Sequence, residues 1–167
     1  MNAPTSTNRR RPLLLIAFIA LPLVVGGISS ALTANAMTQF GQFEQPPLSP
    51  PAWLFPVAWT ILYMLMGLAS YLIYLHVPKN AREHKMRMAA LVIYGLQLTA
   101  NFAWSLVFFG LNAYWIAFAL LVVLWAHVLA LVMLAIRLRA TAGYALLPYL
   151  AWTTFAGYLN AGVAVLN

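Results

Sequence analysis

Five long apolar runs follow one another along the chain, separated by short polar or proline-rich segments. They cover residues 13–34, 53–77, 88–109, 112–136 and 145–166, and each is 22 to 25 residues long. About 20 helical residues cross the ~30 Å hydrocarbon core of a bilayer, so each run is long enough to cross once. Membrane-spanning strands are shorter and alternate in polarity, which these runs do not. The pattern predicts an all-α integral membrane protein built as a bundle of five transmembrane helices.

The composition excludes a water-soluble enzyme. Hydrophobic residues make up 64% of the 167 residues and charged residues only 7%, against about 45–50% and about 25% in soluble domains. Cysteine is absent and the only acidic residues are Glu44 and Glu83, which excludes disulfides, thiolate metal sites and paired-carboxylate hydrolysis. We expect a basic tail at residues 1–12 and a single membrane domain at 13–167, surrounded by the lipid bilayer.

The basic residues predict the orientation in the membrane. All nine fall within residues 9–11, 79–87 and 137–139, which lie on one side if the runs alternate across the bilayer. The positive-inside rule then predicts a cytoplasmic N-terminus and a C-terminus on the opposite side. Topology and contact with anionic lipids account for the formal net charge of +7, so no nucleic-acid partner is expected.

The N-terminal region also fits a second interpretation. Three arginines, an apolar stretch and small residues at 34–36 resemble a cleavable secretory signal, whose removal would leave four spans. The length of the run instead favours a retained helix, and its small residues would let a neighbouring backbone approach closely. Small-residue faces are also candidates for a homodimer contact: Gly26, Gly27, Ser30 and Ala31 in the first run, and Gly157 and Ala161 in the fifth.

Polar and aromatic side chains inside three of the runs recur at helical spacing, so each set shares one helix face. Each set could simply fill the core, because amides join membrane helices and aromatic rings pack between them. A buried amide is costly in lipid unless it is paired, so these faces should turn inward and together predict a ligand pocket. The sets are Trp59, Tyr63 and Met66; Gln97, Asn101 and Trp104; and Tyr149, Trp152 and Ala156.

Two further features carry candidate chemistry. His127 is the only histidine deep within a run; it could ligate a haem iron, although a lone intramembrane histidine is more often hydrogen-bonded to a neighbour.

Residues 46–51 contain four prolines, which stiffen the entry to the second run. A stiff loop on the non-cytoplasmic side predicts a lid over the mouth of the bundle.

Three ordered motifs resemble the TspO/MBR family, which includes the tryptophan-rich sensory proteins and the mitochondrial translocator protein. The resemblance extends over nearly the whole chain from the first run onward. The motifs are Pro46-x-x-x-Pro50-Pro51-x-Trp53 with Trp59-x-x-x-Tyr63-x-x-x-Gly67; Gln97-Leu98-x-x-Asn101-x-x-Trp104 with Phe108-Phe109-Gly110; and Pro148-Tyr149-Leu150-x-Trp152-x-x-Phe155-Ala156 with Leu159-Asn160.

The resemblance implies a five-helix bundle, often dimeric, in a bacterial cell membrane, inner or outer. It implies binding of porphyrins such as protoporphyrin IX, with haem as a further ligand, and it implies no required cofactor. It also implies binding of drug-like apolar ligands of the benzodiazepine type. Whether sterols bind stays open. Phe40 stands where the family usually has tyrosine. Spacing and resemblance together give the candidate ligand-binding residues as Phe40, Pro50, Trp59, Tyr63, Gln97, Asn101, Trp104, Tyr149, Trp152 and Ala156.

Two functions remain open. The first is a sensory, regulatory or transport protein for tetrapyrroles, linked by the resemblance to tetrapyrrole metabolism and stress responses. The second is a light-dependent porphyrin-degrading enzyme that uses Trp59 and Trp152. The residues favour binding over catalysis, because they include no acid–base pair, nucleophile or metal cluster. Ion-coupled transport is disfavoured, since five spans form no inverted repeat and no charge lies at mid-bilayer.

The predicted topology can be tested with single cysteines, because the chain has none of its own. An impermeant thiol reagent added to intact cells should label cysteine at Gln42 and Asn167 but not at Ala3 or Asn80. Equal labelling of positions 42 and 80 from one side would contradict the alternating topology. A mature chain beginning after Ala36 would contradict the five-span count.

Overall fold

The computed structural model describes residues 6–34 and 43–167, and no strand occurs among them. Five long helices follow one another in this described part of the chain. They are α1 (Ser6–Leu32), α2 (Leu54–Tyr74), α3 (Ala81–Ser105), α4 (Tyr114–Leu138) and α5 (Ala140–Leu166), and a π-helical segment (Leu106–Gly110) continues α3. Each helix contains one of the predicted apolar runs or most of it, so the all-α fold class is confirmed.

Local chemistry explains where several helices begin and end. The Asn80 side chain accepts a hydrogen bond from the Glu83 backbone N–H at 2.9 Å, an N-terminal cap that starts α3 ahead of the predicted run. Glu83 in the first turn adds a negative charge where the helix dipole favours one. Arg139, between Leu138 and Ala140, is extended, with φ −157° and ψ 105°, so α4 and α5 are joined by a single residue.

Four of these helices are long and apolar enough to span a membrane: Arg11–Leu32, Leu54–Tyr74, Ala81–Gly110 and Tyr114–Leu138. The protein is therefore a multi-pass membrane protein by length and composition. The fifth helix, α5, has 27 residues and no charged one. Its tyrosine, tryptophan, threonine, asparagine and proline side chains make it less apolar than α2 and α4.

The helices pack into one bundle in which α4 lies against both α3 and α5, α2 lies against α1 and α5, and α1 lies against α2, α3 and the π-helical segment. Leu121, Leu124 and Leu131 of α4 are fully buried.

At one end of the bundle the Tyr71 hydroxyl donates to the Arg11 carbonyl oxygen at 3.1 Å. At the same end the Arg87 guanidinium donates to the His76 carbonyl oxygen at 3.0 Å. The start of α1 and the α2–α3 connection therefore share one end.

Gly67 sets how closely α1 approaches α2. A methyl group added there would lie 2.5 Å from the Phe18 carbonyl oxygen and 2.6 Å from the Ile19 Cα. Both atoms are backbone, so neither can move without shifting α1. Close helix approach at small residues is a usual way to associate helices in lipid, where no hydrophobic force drives them together.

We expect Gly67→Ala to separate α1 from α2 and to lower the free energy of unfolding by about 1–3 kcal/mol, the usual cost of overpacking. SDS-induced unfolding of the purified protein would measure this. Gly95→Ala is the matched control, because a methyl group at Gly95 meets no atom within 4 Å among the described residues. Equal stability of the two variants would show that the α1–α2 contact tolerates bulk.

Candidate functional site

A cavity of about 260 Å³ lies between α1, α2, α3 and the π-helical segment. Its walls are a mixture of aromatic rings, small residues and a few polar groups, which is the composition of many small-molecule sites. The lining residues are Leu23, Gly26, Gly27, Ser29, Ser30, Thr33, Phe55, Pro56, Trp59, Thr60, Tyr63, Asn101, Trp104, Ser105 and Phe109.

Four residues of the predicted site line this cavity: Trp59, Tyr63, Asn101 and Trp104. Trp59 is central among them, because its ring centroid lies 5.5 Å from that of Tyr63 and 6.1 Å from that of Trp104. Centroid distances of 4.5–7 Å are those of favourable aromatic pairs. The helical spacing within α2 and α3 therefore brings these side chains together, as the stripes predict.

Gln97 and Tyr149 lie behind the cavity wall and are fully buried. Tyr149 donates its hydroxyl hydrogen to Gln97 Oε1 at 2.7 Å, and Asn101 Nδ2 donates to the Tyr149 hydroxyl oxygen at 3.4 Å. Tyr63 completes the connection by donating to Asn101 Oδ1 at 2.8 Å. A continuous polar network thus runs from the cavity into the centre of the bundle and ties α2, α3 and α5 together.

Trp104 is held by a second polar contact. Its indole Nε1 donates to Asn160 Oδ1 at 3.0 Å, and Asn160 Nδ2 donates to the Tyr114 carbonyl oxygen at 2.9 Å. One ring of the cavity wall is therefore fixed by α5 and the start of α4. Asn160 follows Tyr149, Trp152 and Ala156 at helical spacing in the fifth run, and this spacing is the sequence signal for its role.

Trp152, Ala156 and Pro50 lie elsewhere. Trp152 lines a separate groove between α2 and α5 together with Ile61 and Phe155. Its ring stands edge-on behind Trp59, with centroids 6.5 Å apart. Ala156 is buried in the core, and Pro50 is half-buried in the proline segment, outside the described residues that line the cavity. Phe40 falls outside the described residues altogether.

The α1 face of the cavity was missed by sequence reasoning. Ser29 is 4% exposed, and its hydroxyl has no hydrogen-bond partner among the described residues. Gly26 lies directly against the Tyr63 ring, where an added methyl group would collide. The small residues of α1 predict close packing equally well, and only the neighbouring helices reveal that they also border a cavity.

The π-helical segment shapes the end of the cavity formed by α3. Its wider turn places Phe108 and Phe109 on the same side as Trp104, with centroids at 5.6 Å and 6.0 Å from the Trp104 ring. Phe109 lines the cavity, whereas Phe108 is buried behind it. Single-turn π segments inside helices occur frequently at functional sites.

The proline segment is fastened to the end of α5. Tyr158 donates its hydroxyl hydrogen to the Pro47 carbonyl oxygen at 2.7 Å, and Pro46 lies so close to Gly162 that a methyl group there would be 2.6 Å from its Cγ. Asn167 and the Glu44 backbone exchange two hydrogen bonds of 3.2 Å and 3.1 Å. The lid stays a prediction, but the segment that would form it has defined anchors.

His127 lies away from the cavity. Its Nδ1 is 2.7 Å from the Val123 carbonyl oxygen one turn earlier in α4, the ordinary arrangement of a histidine bonded within its own helix. No cluster of three metal-ligating side chains occurs within residues 6–34 and 43–167.

Tyr149→Phe removes the hydroxyl that joins Gln97 to Asn101, and both amides then lose a partner in a dry interior. We expect the free energy of unfolding to fall by about 1–2 kcal/mol, within the cost of leaving buried polar groups unpaired. SDS-induced unfolding would measure the difference. Tyr144→Phe is the matched control, because Tyr144 on the same helix is 62% exposed. A Tyr149→Phe protein as stable as the control would mean that the network adds no stability.

The chain is similar to known proteins over most of its length. The chain matches the profile of the TspO/MBR family over residues 18–166. It is 32% identical over 156 residues to "Tryptophan-rich protein TspO" of Chlorobaculum tepidum, covering 93% of this chain and 96% of the relative. It is 35% identical over 128 residues to "Tryptophan-rich sensory protein" of Cereibacter sphaeroides, covering 77% and 76%.

A similar match extends to animals. The chain is 31% identical over 146 residues to "Translocator protein" of Bos taurus, covering 87% of this chain and 85% of the relative. The profile match covers most of the chain, including the cavity-lining positions of α2 and α3, and the relatives are matched over most of their own length. The multi-pass helical membrane protein described above therefore belongs to the TspO/MBR family.

Proposed function

We propose that the protein binds flat apolar ligands, tetrapyrroles such as protoporphyrin IX in the first place, in the cavity between α1, α2 and α3. The binding would serve a sensory or regulatory role, or transport, in tetrapyrrole metabolism and stress responses. The observation that carries the proposal is the Trp59 and Trp104 pair on the cavity wall. Two relatives are named for tryptophan content, and the name of one calls it sensory.

The chemistry of the cavity suits such a ligand. An aromatic wall favours a planar π-system by about 0.5–1.5 kcal/mol per ring pair beyond area burial. Tyr63 and Asn101 add polar groups that would orient it, and the Ser29 hydroxyl, which has no partner within the described part of the chain, offers another. Haem and drug-like apolar molecules share the same flat, apolar character, so they belong to the same ligand class, and no cofactor is required for binding.

The membrane arrangement is part of the proposal. We propose that α5 is a fifth transmembrane helix, since its 27 residues carry no charge and its polar side chains Tyr149 and Asn160 are buried inside the bundle. The N-terminus would face the cytoplasm of a bacterial cell. A homodimer would use the groove bearing Gly157 and Ala161, because Gly26 already contacts Tyr63 of its own chain.

Trp59→Leu should weaken protoporphyrin binding about tenfold, because loss of aromatic contact worth ~1.4 kcal/mol changes affinity by one decade. Quenching of the remaining tryptophan fluorescence by added protoporphyrin would measure it. Trp115→Leu is the control, since Trp115 is 61% exposed at the start of α4. Equal affinities for the two variants and the parent would rule out this cavity as the porphyrin site.

A light-dependent porphyrin-degrading enzyme is the second candidate. Trp59 favours it, because this oxidisable indole lines the cavity and lies in ring contact with Trp152 behind it. A bound porphyrin would act as the sensitiser and dioxygen as the oxidant. Illumination of the purified protein with protoporphyrin, with and without oxygen, separates the candidates: loss of porphyrin absorbance only with protein and oxygen supports the enzyme, and unchanged absorbance supports binding alone.

A further inference from the structure

The hydrogen bonds of the buried polar network follow one order of donors and acceptors. This order is fixed at the end of the network farthest from the cavity. Gln97 Nε2 donates to the sulfur of Met66 at 2.8 Å, and both residues are fully buried. A thioether sulfur carries no hydrogen and can only accept. The amide of Gln97 must therefore turn its N–H toward Met66, since the opposite orientation would bring two acceptors together.

The orientation of Gln97 fixes each following link. Gln97 Oε1 accepts the only hydroxyl hydrogen of Tyr149, so the Tyr149 oxygen can only accept, and it does so from Asn101 Nδ2. Asn101 then presents Oδ1 to Tyr63, whose hydroxyl hydrogen is used in that bond at 2.8 Å. Because amide orientations follow from the hydrogen-bond network as a whole, one acceptor-only sulfur determines every donor and acceptor along it.

We propose that this network makes Tyr63 a pure hydrogen-bond acceptor toward the cavity, and that the site therefore selects flat apolar ligands bearing an N–H or O–H donor. Met66, Gln97 and Tyr149 are positioning residues that act through Asn101. Tyr63 lines the cavity, and its oxygen retains lone pairs after its hydrogen is committed. The inference rests on the proposed function, since it assumes that ligands enter this cavity.

Other polar groups would handle a ligand that carries only an acceptor. Asn101 Nδ2 keeps a second hydrogen, and the Ser29 hydroxyl has no partner among the described residues. A carbonyl ligand would use one of these donors or another donor of the lining, such as the Trp59 indole N–H, and would not depend on Tyr63. Dependence on Tyr63 therefore distinguishes donor ligands from acceptor ligands.

Three tricyclic probes of matched shape test the proposal: carbazole has an N–H donor, fluorene has neither group, and 9-fluorenone has an acceptor at the same ring position. Titration calorimetry in lipid nanodiscs, with empty nanodiscs as the blank, gives their affinities. Carbazole should bind about three- to tenfold more tightly than fluorene, the range expected for one net hydrogen bond. Tyr63→Phe should abolish this preference and leave 9-fluorenone unchanged.

Two variants test the positioning role. Met66→Leu removes the sulfur at nearly constant volume and should reduce the preference for carbazole without changing fluorene affinity. Met64→Leu is its control on the same helix, because Met64 is 41% exposed. Gln97→Leu frees the Tyr149 hydroxyl to donate to Asn101, so donors and acceptors exchange roles in the remaining hydrogen bonds. Tyr63 then donates into the cavity. We therefore expect 9-fluorenone to become the preferred probe in this variant and its binding to depend on Tyr63.

The outcomes are distinct. Carbazole binding no tighter than fluorene in the parent protein would overturn the proposal, and so would a carbazole preference that both Met66→Leu and Gln97→Leu leave intact. If Gln97→Leu does not fold, the parent ranking and Met66→Leu still decide. Failure of all three probes to bind would instead overturn the proposed function.

Discussion

The absence of hydrogen-bonding partners in lipid is the constraint on which this structure depends. Inside a bilayer each polar side chain must be paired within the protein or border a cavity. Gln97, Asn101, Tyr149 and Asn160 are all buried, and every one is paired across helices. These pairings decide which faces of α2, α3 and α5 meet, and the cavity lies where the paired faces end against α1.

The bundle combines two kinds of contact. The helices α3, α4 and α5 are held by extensive apolar packing, and α4 and α5 are joined by the single residue Arg139. The first helix lies at the edge of the bundle, and glycines bring it close: Gly67 meets its backbone, and its own Gly26 meets Tyr63. A wall made of small residues leaves free volume beside the tryptophans, so one feature supplies both the helix contact and the space for a ligand.

The sequence predicts the helices and much of the site because burial of polar groups in lipid is so costly. A stripe of Gln97, Asn101 and Trp104 can face only inward, and residues on such stripes meet in the structure. Spacing along one helix does not say on which side of its neighbour a ring will lie, which is why Trp152 stands behind Trp59 and not beside the cavity. The small residues of α1 gave no separate signal, since packing and pocket lining require the same residue types. The match of residues 18–166 to the family agrees with the motifs, which lie on these inward faces.

The π-helical segment at residues 106–110 changes the directions in which the side chains after it point around the helix axis. Each residue advances an α-helix by about 100°, so one extra residue in a turn rotates everything after it relative to everything before it. Removing a single residue here would restore a regular helix and swing the Phe108 and Phe109 side chains about a quarter turn away from Trp104. An alignment of this helix with an unbroken one would therefore need a one-residue gap between the Asn101 motif and Gly110. The number of residues in this segment sets the orientation of the aromatic wall.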